Sequence, residues 1–542
     1  MHSIQLSDNW QCKQHTAMLS PVDDASDENG WFAASVPGTV HQALLASKQI
    51  PDPFYGRNET LVQWVGESDW LYRCTFERPD VADGDCVVLC FDGLDTFASV
   101  WLNGEQILHS DNMFIPYRID VASQLREGTN ELLILFESAL RLGKEREAEY
   151  GKLAVWNGDA SRVYVRKAQY HYGWDWGPTL LTAGPWQPVY LEVYSARIAD
   201  LYCPVELEAN LERARIHVQI TCEVSHASRL TALMLSLNLY APDGTKIDEQ
   251  TLPVTDDVVH ATFVLDNPQL WWPRGYGEQP LYRIEAVLRQ QAQVLDRNEK
   301  RVGMRHVQLV QRPVHDGNGT TFFFSVNNTP IFCGGANWIP ADSFLPAVTP
   351  ERYRTWLQYA ADANMTMLRV WGGGIYENDV FYDICDELGL LVWQDFLFGC
   401  GIYPAHEEFQ KSVEAEAEAA LLRLRHHPSI VLWCGNNEDY SIAQSKGLYD
   451  SSFTGNFTTT QFPARAIYER LLPEVCARLD PERPYWPGSP YDGSDANSTE
   501  QGDTHAWHIW GGDKPYQDYP ETKARFVSEF GMGSLPALST IE

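Results

Sequence analysis

The sequence predicts a multidomain chain, mainly β up to about residue 310 and α/β beyond it. Three observations carry the prediction. At about 150 residues per domain, 542 residues make three to four domains. Short runs of alternating apolar and polar residues, separated by turn residues, fill the first part. After about residue 311 the rhythm changes to strand, helix, strand, the pattern of a parallel sheet covered by helices.

The first strands are expected over 71–76, 86–91, 99–102, 132–136 and 189–193. Asp92-Gly93 and Asn103-Gly104 are turn signals between them. The second predicts a two-residue hairpin, because Asn and Gly tolerate the positive φ of a type I′ turn. Residues 138–150, rich in Ala, Leu, Glu and Arg, are the one helical interruption expected here. A seam follows near Ala196. Beyond it, runs at 216–222, 232–240, 261–265 and 281–288 predict a sandwich of about 110 residues.

In the last part, strands are expected over 331–338, 367–371, 390–396, 430–438, 485–489, 504–510 and 525–531. Helices are expected over 349–363, 377–388 and 407–427, the first opened by Thr349 as N-cap and Pro350 at the first helical position. Seven such strands favour a (β/α)8-type barrel over an open sheet. The chain stops eleven residues after Gly531, so the barrel is expected to lack its last strand and helix. Such a barrel would expose the edges of its first and seventh strands.

The formal charge of −32 repels phosphate backbones and argues against nucleic-acid and anionic-membrane partners. Eleven Cys without a CxxC pair, and a start lacking a basic region and an apolar core, predict free thiols and a cytoplasmic location. Cys86 and Cys90 are read as buried thiols, and the Asn58-Glu-Thr60 and Asn497-Ser-Thr499 sequons as chance. No run is long enough to span a membrane. The 19 Trp supply flat rings that can stack on sugars or fill cores.

In a parallel barrel the reacting groups gather at the C-terminal strand ends. Two of these ends carry glutamates, Glu438 on the fourth strand and Glu529 on the seventh, which face each other across the barrel mouth. Two carboxyl groups beside aromatic rings are what glycosidic cleavage requires: one protonates the leaving oxygen while the other attacks as the ionised form. Independently, Trp174-Asp-Trp176 before Gly177-Pro178 sets a carboxylate between two rings on a turn, which suits vicinal hydroxyls. The alternative is a buried Asp capping its own turn.

Ile430-Val-Leu-Trp-Cys-Gly-Asn-Asn-Glu438, after His427-Pro-Ser429, resembles the acid/base segment of family 2 glycoside hydrolases, and Phe526-Val-Ser-Glu-Phe-Gly531 their nucleophile segment. Gly173-Trp-Asp-Trp-Gly-Pro178, Gly335-Ala-Asn-Trp-Ile-Pro-Ala-Asp-Ser-Phe344 and Gly502-Asp-Thr-His-Ala-Trp507 are similar to motifs of the β-mannosidase subgroup. The resemblance implies a jelly-roll, sugar-binding-like domain over 1–196, an immunoglobulin-like β-sandwich over 197–310 and a catalytic TIM barrel over 311–542. It implies a retaining exo-β-mannosidase acting on terminal β-D-mannose of manno-oligosaccharides, with Glu438 as acid/base and Glu529 as nucleophile. Arg369 is implied to orient Glu529 and keep it ionised, and Asn437 to bond the sugar 2-OH. Asp175, Trp174, Trp371, Trp393, His505 and Trp507 are further expected substrate contacts. No cofactor or metal is implied, and the oligomeric state stays open. A retaining pair stands about 5–5.5 Å apart, whereas an inverting pair is wider. The alternatives are another family 2 activity, such as endo-β-mannosidase, β-galactosidase or β-glucuronidase, and a carbohydrate-binding protein without turnover.

Other clusters have simpler readings. His505 and His508 have a spacing some metal sites use, but no third ligand is evident. His426 and His427 are expected to satisfy carbonyls at a helix end. Glu414, Glu416 and Glu418 read as a solvated helix face. Gly372-Gly-Gly374 lacks the Lys and Ser/Thr of a phosphate loop and reads as flexibility at the barrel mouth.

Overall fold

The structure, a computed structural model, describes residues 1–16, 18–225, 232–315, 317–536 and 538–541. Its first part contains two antiparallel sheets. One runs Phe32–Ala33, Gln11–Gln14, Trp70–Glu77, Thr129–Glu137, Phe97–Leu102, Glu105–Ser110, and the other His2–Gln5, Val189–Tyr194, Cys86–Phe91, Tyr117–Asp120. Strand alternation fixes what lies inside: Tyr72, Val100, Ile134 and Phe136 of one sheet share a core with Leu89, Phe91, Leu191 and Val193 of the other. Asn103 and Gly104 turn the chain between the paired Leu102 and Glu105 with φ of +54° and +86°, as the dipeptide predicts.

The helix foreseen over 138–150 is Ala139–Tyr150, its first turn capped by the Ser138 hydroxyl, which accepts from the Arg141 N–H. It is not alone. Pro21–Ala25, Val40–Ala46 and Trp64–Glu67 are also helical, too short to show a helical period in the sequence. The local signal for Val40–Ala46 is the capping box of Thr39 with Gln42.

In the next part, Ala196–Tyr202, Val205–Leu207 and Val258–Asp266 flank Arg213–Val224. The second sheet runs Lys246–Pro253, Leu233–Tyr240, Tyr282–Gln290, Gln293–Val302. Every second residue of Leu233–Tyr240 is buried, and Leu235, Leu237 and Leu239 share a separate core with Ile216, Val218 and Ile220.

The strand expected over 331–338 is two strands. Thr329–Ile331 belongs to a small antiparallel sheet with Phe323–Val326 and Val307–Val310, and Gly335–Trp338 opens the parallel one. Gly335 is required at this junction, since a Cβ there would meet the Met367 carbonyl at 1.7 Å. The parallel sheet continues in sequence order with Met367–Val370, Leu391–Asp395, Ile430–Cys434 and Tyr485–Trp486; Thr504–Ala506 and Val527–Phe530 form a parallel pair. Asn337 Nδ2 donates to the Ser528 carbonyl (3.1 Å), which ties the Val527–Phe530 strand to Gly335–Trp338. Five helices, Pro350–Asp362, Asp379–Leu388, Glu407–Leu424, Asp439–Ser445 and Leu472–Leu479, accompany these strands. Thr349 caps the first as expected, with Pro350 at its start.

Four expectations, three for this part and one for the first, are corrected by burial. Glu416 is not solvated: it is 2% exposed and receives Arg166 through two N–H donors (2.7 and 2.9 Å), Tyr376 Oη and Asn112 Nδ2. The helix expected to reach 427 ends at Leu424, and the buried His427 Nδ1 lies 2.6 Å from Asp386 Oδ2 instead of serving helix carbonyls. Gly372-Gly-Gly374 is buried and tightly packed; a Cβ on Gly373 would strike the Trp371 ring at 1.9 Å. Cys86 is half-buried, although Cys90 is buried as expected and all eleven cysteines are free thiols. Among the described residues no helix is long and apolar enough to cross a membrane.

Candidate active site

The parallel strands leave their ladders earlier than the sequence suggests, and the residues beyond them form the rim of a cavity of about 1180 Å³. Arg369 comes from within Met367–Val370, Glu529 from within Val527–Phe530, and Glu438 from four residues past Ile430–Cys434. Glu438 is thus not a strand residue. It opens the helix Asp439–Ser445 in the left-handed conformation, φ +64°, a costly geometry for a residue with a Cβ. Its N–H donates to the Ser489 carbonyl (2.7 Å) and its carbonyl accepts from the Ile442 N–H (3.0 Å), which holds the turn from both sides.

The two carboxyl groups meet at His505. Its Nδ1 lies 2.8 Å from Glu438 Oε1 and 3.1 Å from Glu529 Oε2, and its Nε2 lies 3.0 Å from Ser489 Oγ. One oxygen of each glutamate and one imidazole nitrogen all lie within 4.8 Å of one another. Burial pushes the His505 pKa down to about 4, against the pull of Glu529, so the ring is neutral at ordinary pH.

The two glutamates differ in surroundings. Burial raises the Glu438 pKa, opposed by the Cys400 thiol, the charge of Arg369 and the Trp507 indole. Cys400 Sγ is 3.1 Å from Glu438 Oε2. Burial also raises the thiol pKa, so Cys400 meets Glu438 as a protonated donor. Glu529 instead faces a full cation. Arg369 Nη1 donates to Glu529 Oε1 (2.5 Å), and Trp507 Nε1 donates to Oε2 (3.2 Å). Burial works against the guanidinium charge, but Asp395 and Glu529 hold it firmly protonated. Charge-assisted bonds of this kind are shorter and stronger than neutral ones.

Arg369 is itself fixed on all sides. Its Nε and Nη2 donate to Asp395 (3.3 and 2.7 Å), Nη1 to Asn337 Oδ1 (3.0 Å) and Nη2 to Asn437 Oδ1 (2.8 Å). The Asn437 amide also donates to Cys400 Sγ (3.2 Å). A primary amide has two N–H groups and two acceptor lone pairs, so capacity for a ligand hydroxyl remains. The three ligand atoms have a spacing that could hold a cation, but a guanidinium already sits on Glu529 and burial favours the neutral form of Glu438. His508 joins no such group among the described residues, and its Nε2 lies 3.0 Å from Thr522 Oγ1.

The first part of the chain supplies one wall. Tyr172–Trp174 and Gly177–Thr179 pair as a hairpin whose tip is Asp175-Trp176. Asp175 is exposed and lines the cavity, so it is no buried cap of its own turn. Trp371 meets Trp174 edge-on at 4.8 Å and Trp176 at 5.6 Å, giving a three-indole wall.

Of the expected contacts, Asp175, Trp174, Trp371, Arg369, Asn437, Glu438, Trp507 and Glu529 line this one cavity. His505 lies just behind, against both carboxylates. Trp393 departs from its expected role. It is fully buried beside Phe322 and Phe526, with one edge at the cavity wall, and its indole donates to Asp395 Oδ1 (2.9 Å). It therefore props the partner of Arg369 and offers no face to a sugar. Sequence reading missed Asp395 and Cys400. Asp395 had a signal, a carboxylate at the end of the strand beside that of Arg369; Cys400 is brought in by an irregular loop and had none.

Residues 10–187 match the domain described as glycosyl hydrolase 2 galactose-binding domain-like, and residues 196–305 match glycosyl hydrolases family 2. The chain is 47% identical to β-mannosidase B of Thermothelomyces thermophilus, covering 99% of this chain and 62% of that protein. It is similar to the crystal structure of β-D-mannosidase from Dictyoglomus thermophilum, with 42% identity, a TM-score of 0.90, and coverage of 100% of this chain and 64% of the other. A β-glucuronidase of Parabacteroides merdae shares the fold at 16% identity and a TM-score of 0.70, over 97% of this chain and 62% of that one. The chain thus spans less than two thirds of the length of the relatives it matches. With both domain signatures covering more than half of its residues, this chain belongs to glycoside hydrolase family 2.

Proposed function

We propose that the protein is a retaining exo-β-mannosidase that releases terminal, non-reducing β-D-mannose from manno-oligosaccharides. The observation that carries this reading is the pair Glu438 and Glu529, with oxygens within 4.8 Å of each other and opposite surroundings. Oxygens this close fit the narrow carboxyl separation of a retaining pair, about 5–5.5 Å, better than the wider one of an inverting pair. Glu529, ionised beside Arg369, attacks the anomeric carbon; Glu438 gives its proton to the glycosidic oxygen as the C–O bond breaks. Glu438 then takes a proton from the water that displaces Glu529, and mannose leaves with its configuration retained. Asn437 is read as the partner of the sugar 2-OH, Asp175 as an acceptor for hydroxyls far from the reacting carbon, and the Trp174 and Trp371 rings as the wall of the sugar site.

The same reading takes residues 1–196, 197–310 and 311–542 as three domains, a jelly roll, an immunoglobulin-like sandwich and a (β/α)8-type catalytic barrel. The ordered parallel strands and the approach of the seventh to the first support it. Mannose as the sugar is supported by the hairpin Trp174-Asp175-Trp176 and by the named relatives. Nitrophenyl β-mannoside, β-galactoside and β-glucuronide compared at equal concentration test it. The mannoside is expected to be cleaved at least a hundredfold faster than the other two, with β-mannose as the first product by NMR; equal rates, or a galactoside preference, contradict the assignment.

A further inference from the structure

We infer that the cleft on the outer side of Glu438 receives the leaving-group sugars of a β-linked manno-oligosaccharide, with the Trp156 indole as the surface on which the first of them stacks. The inference rests on the hydrolase reading above and extends it to a second binding region. The cleft has a volume of about 1050 Å³ and shares Trp156, Glu438 and Trp507 with the first cavity. Glu438 borders both spaces, whereas Glu529 borders only the first. An acid protonates the oxygen to which the departing sugar stays attached, so that sugar must lie on the acid's side of the broken bond and away from the nucleophile. The cleft is the space that meets this condition.

Its length is set by a helix. Glu438 caps Asp439–Ser445, and Ser441, Gln444 and Ser445 line the cleft beyond it. Residues three and four apart share a helix face, so these side chains form one continuous floor that starts at the acid. At a rise of about 1.5 Å per residue the floor runs about 10 Å, room for two sugar rings. Ser441 offers a hydroxyl along it, and the Gln444 and Asn497 amides, already bonded to Asp495, Ala496 and His505, keep one N–H and one lone pair each.

Trp156 stands where the two spaces join. It is 47% exposed, and among the described residues no other ring stacks on it. A half-exposed indole with an unoccupied face is a platform only if its backbone is held. Here the Trp156 N–H donates to the Cys400 carbonyl (3.2 Å) and the Ile402 N–H to the Ala154 carbonyl (2.8 Å). The buried Arg162 adds bonds to the Gly399 and Cys400 carbonyls (2.9 and 2.7 Å). The loop that carries Trp156 is thus sewn to the loop whose thiol touches Glu438.

The test compares β-1,4-mannotriose, which would fill the cleft, with β-mannosyl fluoride, whose leaving group has no ring to place there. Trp156→Ala should lower kcat/KM on mannotriose at least tenfold more than on the fluoride. Ser441→Trp, which blocks the floor from the helix side, should shift the ratio the same way. Equal losses on both substrates, or a ratio unchanged in both variants, would overturn the assignment. Wild-type protein inactive on both substrates would instead overturn the hydrolase reading, and this assignment with it.

Discussion

At the scale of single residues, the site separates two chemically identical side chains by their neighbours. Glu529 sits against a guanidinium that is fixed by Asp395, Asn337 and Asn437, while Glu438 is half-buried beside a thiol and a neutral imidazole. The raised pKa of Glu438 has a definite sign in activity. As the acid it must hold its proton, so kcat/KM should persist above the usual carboxylate range and fall as pH rises through the raised value. Glu438→Ala should remove that basic limb. It should also cut kcat/KM on a mannoside with a poor leaving group by about 10²–10⁴-fold, yet spare kcat/KM on a dinitrophenyl mannoside, whose leaving group needs no proton, while kcat on that substrate falls because the base of the second step is gone. A pH–rate profile of the variant on both substrates checks this. An unchanged basic limb would mean that another group supplies the proton.

At the scale of elements, one helix links the chemistry to the first part of the chain. Glu407–Leu424 presents Glu416 to Arg166, Asn112 and Tyr376 in a buried cluster. Removing the carboxylate strands a buried guanidinium, so Glu416→Ala is expected to destabilise the fold by about 3–5 kcal/mol in urea unfolding. Glu418→Ala, which breaks a partly exposed pair with Arg478, should cost about 1 kcal/mol or less. Similar losses would mean that Glu416 carries no special load. The sequence misread this residue for a physical reason: alternate acidic positions on a helix look solvated unless the partner is known, and Arg166 is 250 residues away. Signals that act within a few residues were legible, among them the Asn103-Gly104 turn, the Thr349 cap and the period of the long strands. The splitting of the 331–338 segment and the short helices of the first part were not, because packing and capping decide them and hydrophobic period does not. The meeting of Glu438 and Glu529 was legible through strand order and motif, but the left-handed turn at Glu438 and the thiol of Cys400 depend on loops that carry no period.

At the scale of the whole molecule, the site is assembled from two stretches far apart in the sequence. The hairpin bearing Asp175 and the loop bearing Trp156 come from the first part, while Arg369, Glu438, His505 and Glu529 come from the parallel strands and the segments that leave them. Charge follows the same division of labour. The chain carries a formal −32, yet in the cavity a buried arginine bonds two carboxylates, Asp395 and Glu529, while burial raises the pKa of the neighbouring Glu438. The central claim is that Glu529 forms a covalent bond to the sugar. A 2-deoxy-2-fluoro-β-mannosyl fluoride tests it most directly, because fluorine at C2 slows both steps while the reactive leaving group lets the first proceed. Mass spectrometry of the digested protein should find one fluoromannosyl group, on the peptide that contains Glu529. A label on any other residue, or hydrolysis to the inverted sugar with no label, would contradict the account.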